Sequence, residues 1–359
     1  MRQESGEKDF RRCGEKLIQR QHLNREEWRV LLQGQTQERQ EWLAAQASKL
    51  RDQIYGKRIF IRGLIEFTNY CKNDCFYCGI RRSNSRARRY RLSQEEILSC
   101  CRTGYGLGFR TFVLQGGEDS YYTDERLTEM IRKIRQEFQD CAITLSVGEK
   151  SRESYEAYRK AGADRYLLRH ETANEEHYRL LHPENQRLGD RIQCLKTLKS
   201  LGYQTGAGFM TGSPGQTIET IIDDMMFLEE LQPEMVGIGP FIPHHQTPFR
   251  GEKQGSLELT LYLLSLVRLL LPRVLLPATT ALGTIDEKGR EKGILAGANV
   301  VMPNLSPADV RGKYLLYDNK ICTGKEAAEG LEALRASVNA LGYELAVDRG
   351  DIAPETVLA

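Results

Sequence analysis

The sequence predicts an α/β fold, a TIM-type (β/α)8 barrel with an N-terminal helical extension. Three observations lead there. From Arg58 onward, short β-branched runs alternate with stretches of helical period, and the alternation occurs eight times. The segments just past these runs carry glycines, hydroxyls or ionisable groups, as active-site loops at strand ends do. A chain of 359 residues and 41.0 kDa is long enough for one such barrel and its core.

Residues 1–56 read as a helical lid across the bottom of the barrel. Asn24-Arg-Glu-Glu27 has the form of a capping box ahead of Trp28, Leu31 and Leu32, and Trp42, Leu43, Leu50 and Ile54 continue at helical spacing. Residues 57–278 form the catalytic core, and 279–359 complete the barrel and add C-terminal helices. The predicted strands are 59–66, 111–114, 142–146, 165–168, 204–209, 235–238, 274–277 and 299–302. Between them, Ser93-Gln-Glu-Glu96 opens a helix as a second capping box, and 123–138, 151–160, 218–230 and 257–271 carry helical period.

Composition excludes several classes. Lys+Arg of 51 against Asp+Glu of 49 gives a net charge of +2, so the balance favours neither nucleic acid nor membrane. The stretch 259–276 is long and apolar, but Arg268, Pro272 and Arg273 interrupt it, which suits a buried helix running into a strand. Arg2, Glu4, Glu7, Lys8, Asp9, Arg11 and Arg12 leave no apolar core for a signal peptide. Nine cysteines, an odd number scattered apart from one triplet, fit a reducing cytoplasm.

That triplet, Cys71-Lys-Asn-Asp-Cys75-Phe-Tyr-Cys78, comes after the first strand and supplies three thiolates and no fourth. A four-iron cube held by three cysteines keeps one iron open for a small molecule. A structural zinc site would close with four Cys or His ligands, and the nearest histidines in sequence are the distant His22 and His170. The spacing, with Tyr77 before the last cysteine, resembles the signature of the radical S-adenosylmethionine (SAM) superfamily. The resemblance implies one 4Fe-4S cluster on Cys71, Cys75 and Cys78, SAM on its open iron, and chemistry by a 5'-deoxyadenosyl radical.

The remaining strand ends supply further candidates. After the second strand come Gln115, Gly116, Gly117 and Glu118, where glycines let backbone approach a ligand and Glu118 can bind an amino group. This segment resembles the superfamily's GGE motif, which binds the amino group of SAM. Thr144, Ser146 and Glu149 come after the third strand, and Arg169-His-Glu171 packs three ionisable groups after the fourth. The glycine-rich run 206–217, with Met210, lacks the lysine of a phosphate-binding P-loop and reads as an adenosine contact. His244 and His245, as strand neighbours, are expected to point to opposite faces, so a satisfied turn histidine is favoured over a metal site. Thr279 and Thr280 come after the seventh strand.

Together these segments, from Arg62-Gly-Leu-Ile-Glu-Phe67 to Gly297-Ala-Asn-Val-Val-Met-Pro-Asn304, resemble the HydE family of FeFe-hydrogenase maturases over nearly the whole chain. The resemblance implies a complete barrel around a deep anion-tolerant cavity. It implies SAM binding by Glu171 and Arg191, and radical attack on the sulfur of an organometallic iron precursor made by a sister maturase. Thr144, Ser146, Arg169, Thr279, Thr280 and Tyr314 match substrate-cavity positions. Many members carry a second cluster on three C-terminal cysteines. Here Cys322 stands alone, with Gly330 and Ala333 at the other two places, so a second cluster is not expected. The biotin-synthase and methylornithine-synthase type of radical enzyme, acting on a small amino acid or cofactor precursor, is the alternative. A protein that merely holds iron-sulfur or zinc is a third reading. The six arginines between Arg81 and Arg91 read as a solvated loop, which could also dock an acidic flavodoxin or ferredoxin as electron donor.

Overall fold

The computed structural model describes residues 2–358. Its strands are β1 (Arg58–Ile61), β2 (Gly63–Thr68), β3 (Thr111–Gly116), β4 (Ala142–Ser146), β5 (Arg165–Leu167), β6 (Gln204–Ala207), β7 (Met210–Thr211), β8 (Met235–Val236), β9 (Gly239–Pro240), β10 (Val300–Val301) and β11 (Glu344–Ala346). Six of them pair in parallel in the order β2-β3-β4-β5-β6-β8. The ring closes through bridges Met235↔Leu275 and Pro277↔Val300, then through β10 against β1 and Leu64↔Asn304. The expected eight-stranded barrel is therefore present.

Several strands differ from their predicted form. The first breaks at Arg62 into β1 and β2. The seventh survives only as the two bridges, in a segment that ends on Pro277, whose nitrogen cannot donate to a ladder. Above β6, the close approach of Gly208 to the Gly237 carbonyl interrupts the ladder. A Cβ on Gly208 would lie 2.0 Å from that oxygen, and pairing resumes as β7 with β9.

Both predicted capping boxes form, at Asn24/Glu27 and Ser93/Glu96. The N-terminal helices, however, do not lie across the bottom. Helix Gln37–Tyr55 packs along helix Leu257–Leu270 on the outer wall, where Arg51 donates to the Ala298 carbonyl at 3.0 Å. Helix Arg25–Leu32 lies on helix Ile218–Leu231, with Arg25 paired to Asp223 at 2.5 Å and to Glu219 at 3.0 Å. These amphipathic faces cover the apolar ring of barrel helices.

The bottom is closed instead by the C-terminal segment. After β11 pairs with β1, Arg165 donates to the Arg349 carbonyl at 2.7 Å and to Asp351 at 2.6 Å. Thr111 donates to the same carbonyl at 2.7 Å, and Gln204 to Asp351 at 2.8 Å. Despite burial, Arg165 and Arg349 hold the Asp351 carboxyl well below the usual carboxylate range.

Among the described residues no helix is long and apolar enough to cross a membrane.

Candidate active site

The barrel interior is set by the two-residue period of its strands. Ile65 and Phe67, Phe112 and Leu114, Ile143 and Leu145, Tyr166 and Leu168 point outward into the helical layer and are buried. Their neighbours point inward and line one cavity of about 320 Å³: Arg62, Leu64 and Glu66 from the first strand, Val113 and Gln115, Thr144 and Ser146, then Leu167, Arg169 and Glu171. Met235, Leu275, Thr279, Met302, Tyr314 and Lys320 complete the wall.

Its floor is Arg62, whose Nη1 lies 3.1 Å from the Met235 sulfur while Nε and Nη2 have no hydrogen-bond partner. Burial, with Arg165 behind it, pushes the Arg62 pKa well down. Its rim is the cysteine loop, with Tyr77 and Cys78 on the cavity.

Of the residues singled out from the sequence, the structure brings Tyr77, Cys78, Gln115, Gly116, Thr144, Ser146, Arg169, Glu171, Met210, Thr279, Thr280 and Tyr314 together around this cavity. Cys71, Cys75, Gly117, Glu118 and Arg191 do not line it; they sit around the cysteine loop. Arg191 donates to Glu149 at 2.5 Å and to the Arg169 carbonyl at 3.1 Å, bracing the segment that carries Glu171. Glu118 accepts from the Glu149 amide at 3.1 Å and pairs with Lys72 at 3.2 Å. Gly148, at φ +78, leaves room for the Glu118 carboxyl, since a Cβ there would lie 2.0 Å from the Glu118 side chain. Arg169 and Glu171 approach to 3.0 Å, yet neither Arg169 Nη2 nor Glu171 Oε2 makes an aligned hydrogen bond. The contact is a charge pair with directional capacity to spare.

Several expectations change. The glycines at 116 and 117 are required by packing as well: a Cβ on Gly117 would lie 2.2 Å from the Tyr70 carbonyl and 2.8 Å from Cys71 Cβ, and one on Gly116 would lie 2.7 Å from Thr68. They let β3 end directly beneath the cysteine loop. His244 and His245 do not point to opposite faces, because they sit in a turn, not a strand. Their rings stack 4.6 Å apart, and His245 holds Asp318 at 2.7 Å. His244 Nδ1 accepts the Gln246 amide at 3.0 Å, leaving the proton on Nε2, which makes it a poor metal ligand.

The arginine run is only half solvated. Arg81 forks onto Asp74 at 2.7 Å through both nitrogens, Arg89 binds the Ile80 and Arg81 carbonyls at 2.8 and 2.7 Å, and Arg91 forks onto Asp119 at 2.7 and 2.9 Å.

A model of the Radical SAM superfamily matches residues 65–228. The FeFe hydrogenase maturase subunit HydE of Thermotoga maritima is 46% identical over 304 residues, 85% of this chain and 86% of that protein. This chain belongs to the HydE family of radical SAM enzymes. The 3-methylornithine synthase of Methanosarcina acetivorans is 33% identical over 84% of the chain and 85% of its own length. A crystal structure of methylornithine synthase superposes with a TM-score of 0.82 at 30% identity, covering 93% of this chain and 97% of that one. The maturase HydG from Carboxydothermus hydrogenoformans shares the fold, with a TM-score of 0.79 at 22% identity over 95% of this chain and 80% of that one.

Membership of the radical SAM enzymes implies a 4Fe-4S cluster and SAM. The HydE-family site fits both. The Cys78 amide donates to the Cys75 carbonyl at 3.3 Å, placing the two on one turn of the loop, and burial pushes the Cys71, Cys75 and Cys78 thiols up, Cys75 to about 12. Such thiols ionise only against a cation, as iron would be. Beside them, Arg169 and Glu171, a charge pair whose facing atoms make no aligned hydrogen bond, suit a zwitterion. Tyr77 donates its hydroxyl to His182 Nε2 at 3.3 Å. His182 is neutral, burial having pushed it down to about 3, and its Nδ1–H donates to the Tyr178 carbonyl at 3.0 Å.

Sequence reasoning placed Met302, after the eighth strand, at the same mouth, and missed Arg62, Glu66, Met235, Tyr317 and Lys320 on the cavity wall. For Arg62, Glu66 and Met235 the signal was present. Counting back by two from the inward residues at each strand end reaches all three. Lys320 had none, since it arrives from the C-terminal segment to pair with Glu66.

Proposed function

We propose that this chain acts as a HydE-type maturase, taking a small, anionic, sulfur-containing organometallic precursor into the barrel and helping to build the dinuclear iron centre of FeFe-hydrogenase. The observation that carries this reading is a set of buried polar groups on an otherwise largely apolar cavity wall. Arg62, Thr144, Arg169 and Thr279 present buried polar atoms without hydrogen-bond partners to one cavity. Such groups are costly unless a ligand satisfies them, and two of the four residues are cationic.

Cys71, Cys75 and Cys78 are the cluster ligands in this reading. Glu118, Glu171 and Arg191 hold the amino and carboxylate groups of SAM, while Tyr77, Gln115, Gly116, Gly117 and Met210 border it. When bound, the cluster and SAM supply one-electron reductive cleavage to a 5'-deoxyadenosyl radical. The chain's own part is positional. Arg169, Thr144, Ser146, Thr279, Thr280 and Tyr314 orient the precursor below the rim, and the enclosed wall keeps water from the reacting atoms. Thr279 suits this role because it caps helix Thr280–Ile285 without using its hydroxyl. An acidic one-electron carrier protein supplies the electron, and the other maturases deliver and receive the iron fragment, in the cytoplasm.

A second reading, modification of a small amino acid, is favoured by the 33% identity to 3-methylornithine synthase. The two separate in a strain that lacks its own HydE and retains the other maturases. Restored hydrogenase activity supports the maturase. SAM cleavage without restoration, cognate maturases being present, moves the assignment to the amino-acid chemistry.

A further inference from the structure

The arginine loop and the cysteine loop are fastened to one another. The Asn69 side chain donates to the Arg88 carbonyl at 2.9 Å, the Arg82 amide donates to the Asn73 carbonyl at 2.8 Å, and the Tyr90 amide donates to Asn69 Oδ1 at 2.8 Å. Arg81, Arg89 and Arg91 turn inward to make this framework. Arg82, Arg86 and Arg88 are exposed, and among the described residues their side chains take no carboxylate partner.

The acids nearby are already used. Asp74 is held by Arg81 and Ser83, Asp119 by Arg91 and Thr68, and Glu118 by Lys72. The local field is therefore positive, although the whole chain carries only +2.

The same surface exposes two aromatic rings. Tyr70, 36% exposed, directly precedes the cluster ligand Cys71, and Tyr121 is 45% exposed. Arg91 lies between them, 3.8 Å from the Tyr70 ring and 4.8 Å from that of Tyr121, and Arg126 covers Tyr121 at 3.9 Å. The rings are thus held in place by guanidinium stacking yet remain open to solvent. Rigid aromatic groups ringed by unpaired cations are what a transient protein interface uses: the rings anchor, and the charges steer an oppositely charged partner.

We propose that Tyr70, Tyr121 and the outward arginines Arg82, Arg86 and Arg88 form the docking surface for a small acidic one-electron carrier protein. The site rests on the reading of Cys71, Cys75 and Cys78 as cluster ligands. One electron leaves the reduced carrier and enters the cluster; the carrier is oxidised by one electron and no bond or proton moves. Tyr70 brings the partner's surface to within one residue of a ligand, so the electron need not cross the barrel wall.

The test uses the reconstituted holoenzyme, an Arg82→Glu/Arg86→Glu/Arg88→Glu variant, and a Lys49→Glu/Arg132→Glu/Lys160→Glu control of equal charge change placed elsewhere on the surface. Calorimetric titration with a purified acidic flavodoxin should show at least tenfold weaker binding to the first variant in about 50 mM salt, with the gap closing as screening shortens at about 500 mM. The control should bind like the parent. SAM cleavage driven by the reduced flavodoxin should fall in step with binding, while cleavage driven by dithionite stays unchanged. Undiminished flavodoxin binding, an equal loss in the control, or a matching loss with dithionite would each overturn the docking surface. Failure of the parent to cleave SAM with dithionite would instead sink the cluster reading, and the binding titration is independent of that outcome.

Discussion

Asp224 lies outside the cavity, yet it should govern SAM binding through the bend that carries Glu171. Its Oδ1 accepts the Ala173 amide at 2.6 Å and His170 Nε2 at 3.2 Å, and His170 Nδ1 accepts the Gly208 amide at 3.2 Å. Glu171 itself sits at φ +65, a left-handed conformation that the surroundings must hold. Asp224→Ala strands two buried donors, at about 1–3 kcal/mol each, so the loss should be about 2–6 kcal/mol. Release of Glu171 removes a charged partner of SAM, about 1.5–3 kcal/mol, which weakens binding by about ten- to a hundredfold.

Burial pushes the Asp224 carboxyl well up, and Oδ2 has no hydrogen-bond partner. Asparagine keeps the accepting oxygen and removes the ionisable group, so Asp224→Asn should stay within about 1 kcal/mol of the parent. Because its pKa is raised by folding, Asp224 contributes its stabilisation fully below about pH 4 and loses it as pH rises to the folded pKa. His170, pushed down to about 3 by burial, contributes fully above about pH 6.5 and loses it as pH falls toward 3. Denaturant melts across pH should therefore show an alkaline arm flattened in Asp224→Asn and an acid arm unchanged. If Asp224→Asn were as damaging as Asp224→Ala, a charged carboxylate would be required and the reasoning would fail. Unaltered SAM affinity in Asp224→Ala would remove the link to Glu171.

After anaerobic reconstitution, iron analysis should give about four irons per chain; Cys75→Ala should abolish the cluster and Cys322→Ala should leave it intact, whereas about six irons would reveal a second centre. Arg191→Ala should weaken SAM binding by about tenfold or more in equilibrium dialysis, and unchanged affinity there and in Glu171→Ala would mean that the SAM contacts lie elsewhere. Lys320→Met leaves the buried Glu66 carboxylate with Asn304 alone at 2.7 Å and should cost about 3–5 kcal/mol in thermal melts. The double change with Glu66→Gln should recover part of that, and no recovery would argue against the pairing.

The barrel was legible because parallel strands buried on one face by helices and on the other by a cavity must alternate, and the alternation persists even where the strand is short. What the pattern could not supply was the partner of each inward charge. Glu66, fully buried, looks like an isolated acid in a strand; its cation arrives from position 320, and no local period connects the two. The same holds for the bottom closure. Arg165 reads as the polar start of a strand, but it is fully buried because Asp351 comes back to it from the far end of the chain.

Loops at the strand ends mark the rim, where the cofactor contacts gather, but they carry no sign of the floor. Physically the two ends do different work. The rim residues Glu118 and Arg191 are already paired, with Lys72 and Glu149, so a ligand there must displace an existing partner. Arg62 has no such partner, and an anion reaching it would gain an uncontested charge in a low dielectric. The deeper end therefore has the larger unspent interaction, and selection among precursors of similar size should depend on whether an anionic group can extend that far below the cluster.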